Sequence, residues 1–339
     1  MSYKLVILGE TWDLYRMSYR DLITDNSLYI AGITLDGKFH TLLHRILFSP
    51  KINSTISLPN KSIWNWFLFR QVLQSLNKDT PVVFLLFRSW FSYAIKNGCI
   101  DYLRKNFKNC RIVLFLQDII ASYSDPITGG NLNIEKYKDI FDLIISFDRG
   151  DSSLYNLKYH HTILSSIDVP IQQQYKSDVF FIGKDKGRLP LIYEVFKKLT
   201  TYKLSCKFIL WDIPEDERLK YPGLTYIDHL LPYTEVLNYV RNTNCLLEIM
   251  QNGAMGATYR TLEAISYNKF LLSNNKALSG SELYDNSYIC LFNNAEDITE
   301  TAIEFIRSNK PKRNILQDKI RPVSLISFIE SELELKIDL

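Results

Sequence analysis

The stretch Cys245-Leu-Leu-Glu-Ile-Met-Gln-Asn-Gly-Ala-Met-Gly-Ala-Thr-Tyr-Arg-Thr-Leu-Glu-Ala-Ile-Ser-Tyr-Asn-Lys-Phe-Leu-Leu-Ser273 reads as strand, glycine-bearing loop, helix, short turn and strand. Cys245–Ile249 and Phe270–Leu272 are short apolar runs of strand type. Gly253 and Gly256 allow backbone conformations and close approaches that a side chain would block. Thr258 is placed as the N-cap of a helix running to about Tyr267. On that helix Arg260 and Glu263 share one face, while Leu262 and Ile265 share the opposite, buried one. Helix N-terminal amides, a hydroxyl and a guanidinium together make an anion site suited to phosphate. Glu263, about one turn deeper, suits the two vicinal hydroxyls of a ribose, and phosphate plus ribose means nucleotide. A plainer reading stands beside this one. A Gly-x-x-Gly loop before a helix is common in α/β proteins, and a surface Arg260–Glu263 pair would be worth less than about 1 kcal/mol.

Working outward, 339 residues suffice for two domains of ordinary size. A hydrophobic fraction of 46%, with 13 Gly and 11 Pro, describes a globular chain rather than a disordered or fibrous one. The net charge of +3 is interspersed along the chain and makes no case for nucleic acid. The five cysteines stand singly, with no Cys-x-x-Cys and no Cys/His cluster. They indicate neither a disulfide framework nor a zinc site, and buried thiols in a reducing cytosol are expected. No apolar run approaches the roughly 20 residues that span a bilayer, and no signal-type pattern opens the sequence, so a cytoplasmic protein is expected.

Strands alternate with helices along the whole chain, which predicts parallel sheets covered on both faces. Lys4–Leu8 is the first strand and ends at Gly9-Glu10-Thr11-Trp12-Asp13. Loops at strand carboxyl ends carry function in open α/β sheets, so Glu10 and Asp13 are candidate general bases, as is Asp118 after the strand Arg111–Leu116. For Asp13, capping of the next helix is an equally good account. Leu28–Leu35 and Phe39–Leu47 read as a hairpin turning at Asp36-Gly37. Helices are predicted over Ile63–Leu76 and Ser92–Asn106, and strands over Pro81–Phe87, Asp142–Phe147 and Thr162–Leu164. Asp151 is read as the cap of the helix that follows it. The aromatic helix Ile63–Leu76, flanked by Lys61, Arg70 and Lys78, admits a peripheral membrane contact, although core packing is the ordinary fate of such rings.

Ile167–Tyr175 lacks periodicity and reads as a linker. A second α/β unit follows, with strands at Asp178–Ile182, Lys207–Leu210, Leu224–Tyr226 and Ser287–Phe292. Its helices are placed at Leu189–Leu199, Pro232–Val240 and Ala295–Ser308, and the chain closes on an apolar-spaced helix, Val323–Leu335. Gly183-Lys184-Asp185-Lys186-Gly187-Arg188, between a strand and a helix, is a second arrangement of anion-binding type. Gly183, Lys184 and Arg188 are its candidate ligands. His229 reads as a surface or capping histidine.

The string Gln251-x-Gly253-x-x-Gly256-x-Thr258-x-Arg260-x-x-Glu263-Ala264, followed by Asn268-Lys269, resembles the donor-nucleotide segment of bacterial GT-B glycosyltransferases. It is most similar to those of cell-surface polysaccharide and lipopolysaccharide assembly. Phe141–Phe147 with Asp148 and Asp151 resembles the end of their N-terminal domain. The resemblance implies an α/β GT-B fold of two Rossmann-like domains facing across a cleft, with a C-terminal helix packing back on the N-terminal domain. The expected boundaries are 1–168 for an acceptor-side domain, 169–176 for a linker, 177–314 for the donor domain and 315–339 for the terminal helix. It further implies that Gly256, Thr258 and Arg260, with Lys184 and Arg188, hold a diphosphate, that Glu263 holds a ribose, and that the loop after Ile227 holds the base. The implied activity is transfer of a sugar from a nucleotide-sugar, a UDP-sugar first, to a glycan or lipid-linked acceptor, with no cofactor and no metal. Many retaining members carry two glutamates eight positions apart. Here Met255 stands eight before Glu263, which favours inversion. A sugar-nucleotide 2-epimerase of the same fold and a non-catalytic sugar-nucleotide or glycan-binding protein are the alternatives.

Overall fold

The computed structural model describes residues 3–10, 12–25, 27–31, 63–168, 170–251, 253–308 and 316–335. By internal contacts the chain divides into two units. Unit 1 is Met1–Phe147, Asp151–His160 and Leu325–Leu339, and unit 2 is Asp148–Gly150 and His161–Ser324.

Among the described residues unit 1 is built on six strands: β1 (Lys4–Gly9), β2 (Ser27–Ala31), β3 (Val82–Leu86), β4 (Cys110–Leu116), β5 (Leu143–Ser146) and β6 (Lys158–Tyr159). They lie in the order β2-β1-β3-β4-β5-β6, and every pairing is parallel. Runs such as Val82–Leu86 are apolar at every position because helices cover both faces of a parallel sheet. On one face Val6, Phe84, Ile112 and Leu114 pack against Phe69, Trp90, Phe91 and Leu103. Phe69 lies on α2 (Ile63–Ser75), and its ring centroid is 5.9 Å from that of Trp90. The helix therefore puts a ring into the core, while Trp66 on it is half exposed. The expected turn at Asp36-Gly37 and the strand after it lie outside the described residues. The first run of that hairpin contributes β2, which pairs parallel with β1.

The single helix expected over Ser92–Asn106 is two helices, α3 (Arg88–Lys96) and α4 (Cys99–Asn106). Gly98 breaks it with φ +59°, a left-handed conformation that glycine adopts without a Cβ penalty. A buried polar cluster fixes the break: Asn65 Nδ2 donates to the Asn97 carbonyl at 2.9 Å, and the Tyr93 hydroxyl donates to Asn65 Oδ1 at 3.0 Å. Gly98→Ala meets no atom within 4 Å, so its cost is conformational alone. A loss of about 1–2 kcal/mol in urea unfolding is expected.

Two other expectations are corrected here. Thr162–Leu164 forms no strand: Ile163 and Leu164 are buried in a segment without regular secondary structure, and a short apolar run does not by itself distinguish the two. Asp151 does not cap the next helix but lies inside it (α5, Arg149–Leu154), and its carboxylate accepts the Ile120 amide at 2.7 Å.

Unit 2 repeats the plan with β7 (Ser177–Lys184), β8 (Cys206–Trp211), β9 (Leu224–Ile227), β10 (Thr243–Glu248), β11 (Phe270–Ser273) and β12 (Ile289–Leu291), in the order β12-β11-β10-β7-β8-β9. All its pairings are parallel as well. Its helices include α6 (Leu189–Thr201), α7 (Tyr233–Asn242), α8 (Tyr259–Ser266) and α9 (Glu300–Ser308). The helix expected over Ala295–Ser308 is a 3-10 turn, Ala295–Asp297, followed by α9. An Asn294–Asp297 capping box closes the turn at its start. The helix Pro322–Glu332 contributes its residues from Leu325 onward to unit 1. There the Tyr3 hydroxyl donates to Glu330 at 2.6 Å, and Lys158 pairs with Glu332 at 2.7 Å. The terminal helix thus packs back on the N-terminal unit, as expected. Among the described residues no helix is long and apolar enough to cross a membrane.

Candidate nucleotide site

In unit 2 the strand order reverses between β7 and β10. At such a switch point the crossovers leave in opposite directions and open a crevice at the strand carboxyl ends. The loops that follow these two strands are the two glycine-bearing segments singled out from the sequence.

At the end of β7, Gly183 is a glycine because an added Cβ would lie 2.8 Å from Arg188 Nη2. Arg188 donates from Nε to the Lys184 carbonyl and from Nη1 to the Ile249 carbonyl, so its guanidinium bridges the ends of β7 and β10. Burial pulls its pKa down, while Glu248 and Asp185 act to raise it. The first amides of α6 are already met, because Asp185 Oδ1 accepts from Arg188 at 2.9 Å and from Leu189 at 2.8 Å. What this loop presents is therefore side-chain charge. Lys184 lies 3.7 Å from the Trp211 ring centre and 3.0 Å from the exposed Asp212 carboxylate. Lys186 donates to Gln251 at 2.6 Å, across to the second loop.

After β10, Gly253 takes φ +83°. Thr258 caps α8 as expected, its hydroxyl accepting the Arg260 amide at 3.1 Å. Asp148, grouped with this unit, accepts the Met255 and Gly256 amides at 2.8 and 2.9 Å, so the loop amides do hold a carboxylate. Arg260 and Glu263 do not form the surface pair of the plainer reading. Glu263 is fully buried; its Oε2 is 2.6 Å from Arg260 Nη1, and its Oε1 accepts from Arg260 Nη2 at 2.9 Å. The Tyr233 hydroxyl, from the first residue of α7, donates to the same Oε1 at 3.0 Å. Burial pushes the Glu263 carboxyl up to about 7, against the opposing pull of Arg260 and Tyr233.

Ile227 ends β9, and its carbonyl accepts the Asp212 amide at 3.0 Å. His229 is exposed and bonded to Asp228 at 2.7 Å. The Asn268-Lys269 pair has a structural role. Asn268 turns at φ +51°, and the Lys269 ammonium donates to the Arg241 carbonyl at the end of α7.

Unit 1 has its own switch point between β1 and β3. Glu10 Oε1 accepts the Ser89 amide at 2.6 Å, so the carboxylate caps α3 from the neighbouring strand. Asp13 opens α1 (Asp13–Ser18) and accepts the Leu14 amide at 2.8 Å. Asp118 accepts the Ile119 amide at 3.0 Å. The three follow β1 and β4, which flank β3, and each is engaged with a backbone amide. Sequence reading missed Tyr233, Trp211, Ser273 and Glu248. Glu248 alone left a signal there, as a lone charge inside an apolar strand. Among the described residues no group of three His, Cys, Asp or Glu is placed to hold a metal ion.

No family model and no curated protein sequence matches the chain. Solved structures do. The OtsA apo structure superposes with a TM-score of 0.55 at 10% identity, covering 99% of this chain and 100% of that one. A UDP-forming trehalose-phosphate synthase from Burkholderia xenovorans gives 0.55 at 10%, covering 98% and 99%. Anabaena Alr3699/HepE, solved in complex with UDP and glucose, gives 0.54 at 12%, covering 98% and 99%. At such identities the likeness is one of architecture: the chain has the GT-B fold, two parallel six-stranded sheets with their helices.

Proposed function

We propose that the protein is a glycosyltransferase that takes its sugar from a nucleotide-sugar, a UDP-sugar first, and transfers it to a glycan or lipid-linked acceptor of bacterial surface polysaccharide or lipopolysaccharide. One observation carries the reading: two cation-bearing loops flank the switch point of unit 2, one of them capped by Thr258 and backed by the buried Arg260–Glu263 pair. Lys184, Arg188, Arg260 and the α8 dipole would stabilise the departing diphosphate, which asks for no metal. Glu263 would take the ribose once Arg260 exchanges it for phosphate. The loop after Ile227 would take the base. Glu10, Asp13 or Asp118 would remove the acceptor proton in an inverting displacement. Work at the cytoplasmic face of the membrane fits these substrates.

The test is a thermal-shift panel of UDP, GDP, dTDP and CMP sugars on the wild type and on Lys184→Ala. Among the described residues the Lys184 ammonium pairs with an exposed carboxylate and an indole, so its removal should cost less than about 1 kcal/mol. One nucleotide at 100 times its Kd should stabilise the wild type by about 2.7 kcal/mol, and the variant by clearly less at the same concentration. No shift with any member of the panel sinks the proposal.

A further inference from the structure

Glu248 closes β10 with its side chain buried, and the donor-site reading gives it no task. A buried carboxylate needs hydrogen-bond donors, and here three hydroxyls supply them. Thr258 Oγ1 donates to Oε1 at 2.5 Å and Thr261 Oγ1 to the same oxygen at 2.8 Å, while Ser273 Oγ donates to Oε2. Ser273 in turn accepts the Asn275 amide at 3.0 Å, and Asn275 Nδ2 donates to the Gly256 carbonyl at 3.1 Å. One carboxylate therefore ties together the cap of α8, its first turn, the end of β11 and the glycine loop.

Proton counting gives this network a consequence. A threonine hydroxyl has a single hydrogen. That of Thr258 is committed to Glu248, and its oxygen accepts the Arg260 amide. The hydroxyl has no hydrogen left for a phosphate. The amides of Ala257 and Thr258, by contrast, have no acceptor among the described residues. We infer that Glu248 is a positioning residue of the donor-phosphate loop: it turns the Thr258 hydroxyl inward and holds the loop so that the Ala257 and Thr258 amides meet the diphosphate. The inference rests on the donor-site reading for its ligand, though not for the loop geometry.

The experiment combines amide hydrogen exchange across residues 250–266 with calorimetric titration of UDP, GDP, dTDP and CMP. Both are run on the wild type, Glu248→Gln, Thr258→Ser, Thr258→Val and the Glu248→Gln/Thr258→Val double variant. Glu248→Gln keeps the shape and removes the charge that the hydroxyls serve. Exchange across 250–266 should rise about tenfold and affinity for the bound nucleotide should fall about tenfold. Thr258→Ser keeps the hydroxyl and should lose far less affinity and protection than Thr258→Val. The double variant should bind no more weakly than the worse single one, because both changes cut the same link. Additive losses, or unchanged exchange in Glu248→Gln, would overturn the inference while wild-type binding leaves the donor reading intact. Absence of nucleotide binding by the wild type overturns the donor reading and the ligand half of the inference together. Exchange then still decides whether Glu248 holds the loop. Should Glu248→Gln not fold, Ser273→Ala removes one donor and gives the same exchange readout.

Discussion

Arg260→Ala should lower the stability of the protein by about 3–5 kcal/mol and, on the donor-site proposal, also abolish the rise in melting temperature that a nucleotide is expected to give. The first effect follows from what the substitution leaves behind. Glu263 is fully buried, and both of its oxygens lie against the Arg260 guanidinium. At pH 8, where the folded wild type holds Glu263 ionised, removing one partner of the buried pair strands the other charge in a medium that solvates it poorly. The Tyr233 hydroxyl would remain as a donor, which sets the loss below that of a bare charge. Urea unfolding measures this effect. Adding Glu263→Gln to the variant should restore most of the lost stability, because no charge is then stranded, but none of the nucleotide response. A loss below about 1 kcal/mol in the single variant would mean that the pair behaves as a surface ion pair.

The second large effect is one of pH. Burial raises the Glu263 carboxyl from its ordinary 4.5 to about 7. Between those values the folded protein holds a proton that the unfolded chain has released, so this group's favourable contribution is complete below about 4.5. It is lost as pH rises through about 7, and amounts to roughly 3 kcal/mol in all. Other carboxylates titrate in the same range, so the stability difference between wild type and Glu263→Gln is the quantity to follow. That difference should shift against the wild type by this amount between pH 4.5 and pH 8, as read by urea midpoints. A flat difference would show that Arg260 and Tyr233 already offset the whole cost of burial.

Much of the architecture was legible because parallel strands covered on both faces are apolar throughout. Runs such as Val82–Leu86 and Phe270–Leu272 needed no partner to be recognised. The Thr258 cap was equally local, since an N-cap depends on residues within one turn. What escaped depends on distant neighbours. Gly98 stands in what looks like one amphipathic helix, and its break is fixed by Asn65, more than thirty positions earlier in the chain. Asp151 lies in the right place for a cap yet serves the Ile120 amide. Glu248 gains its meaning from Ser273, which only the β10–β11 pairing brings beside it. In the loop after Gly183, the basic residues suggested an anion at the start of α6, but Asp185 already fills that place.

The terminal helix carries a consequence for biosynthesis. Unit 1 draws on both the beginning of the chain and the residues from Leu325 onward, whereas almost all of unit 2 lies between them. During translation the strands of unit 1 leave the ribosome before unit 2 but lack Glu330 for Tyr3 and Glu332 for Lys158 until the helix Pro322–Glu332 emerges. The later-made unit has its sheet complete before the earlier one can close. The nascent N-terminal half must therefore stay soluble with one seam open while more than 150 further residues are added, a stage at which chaperone occupancy would concentrate.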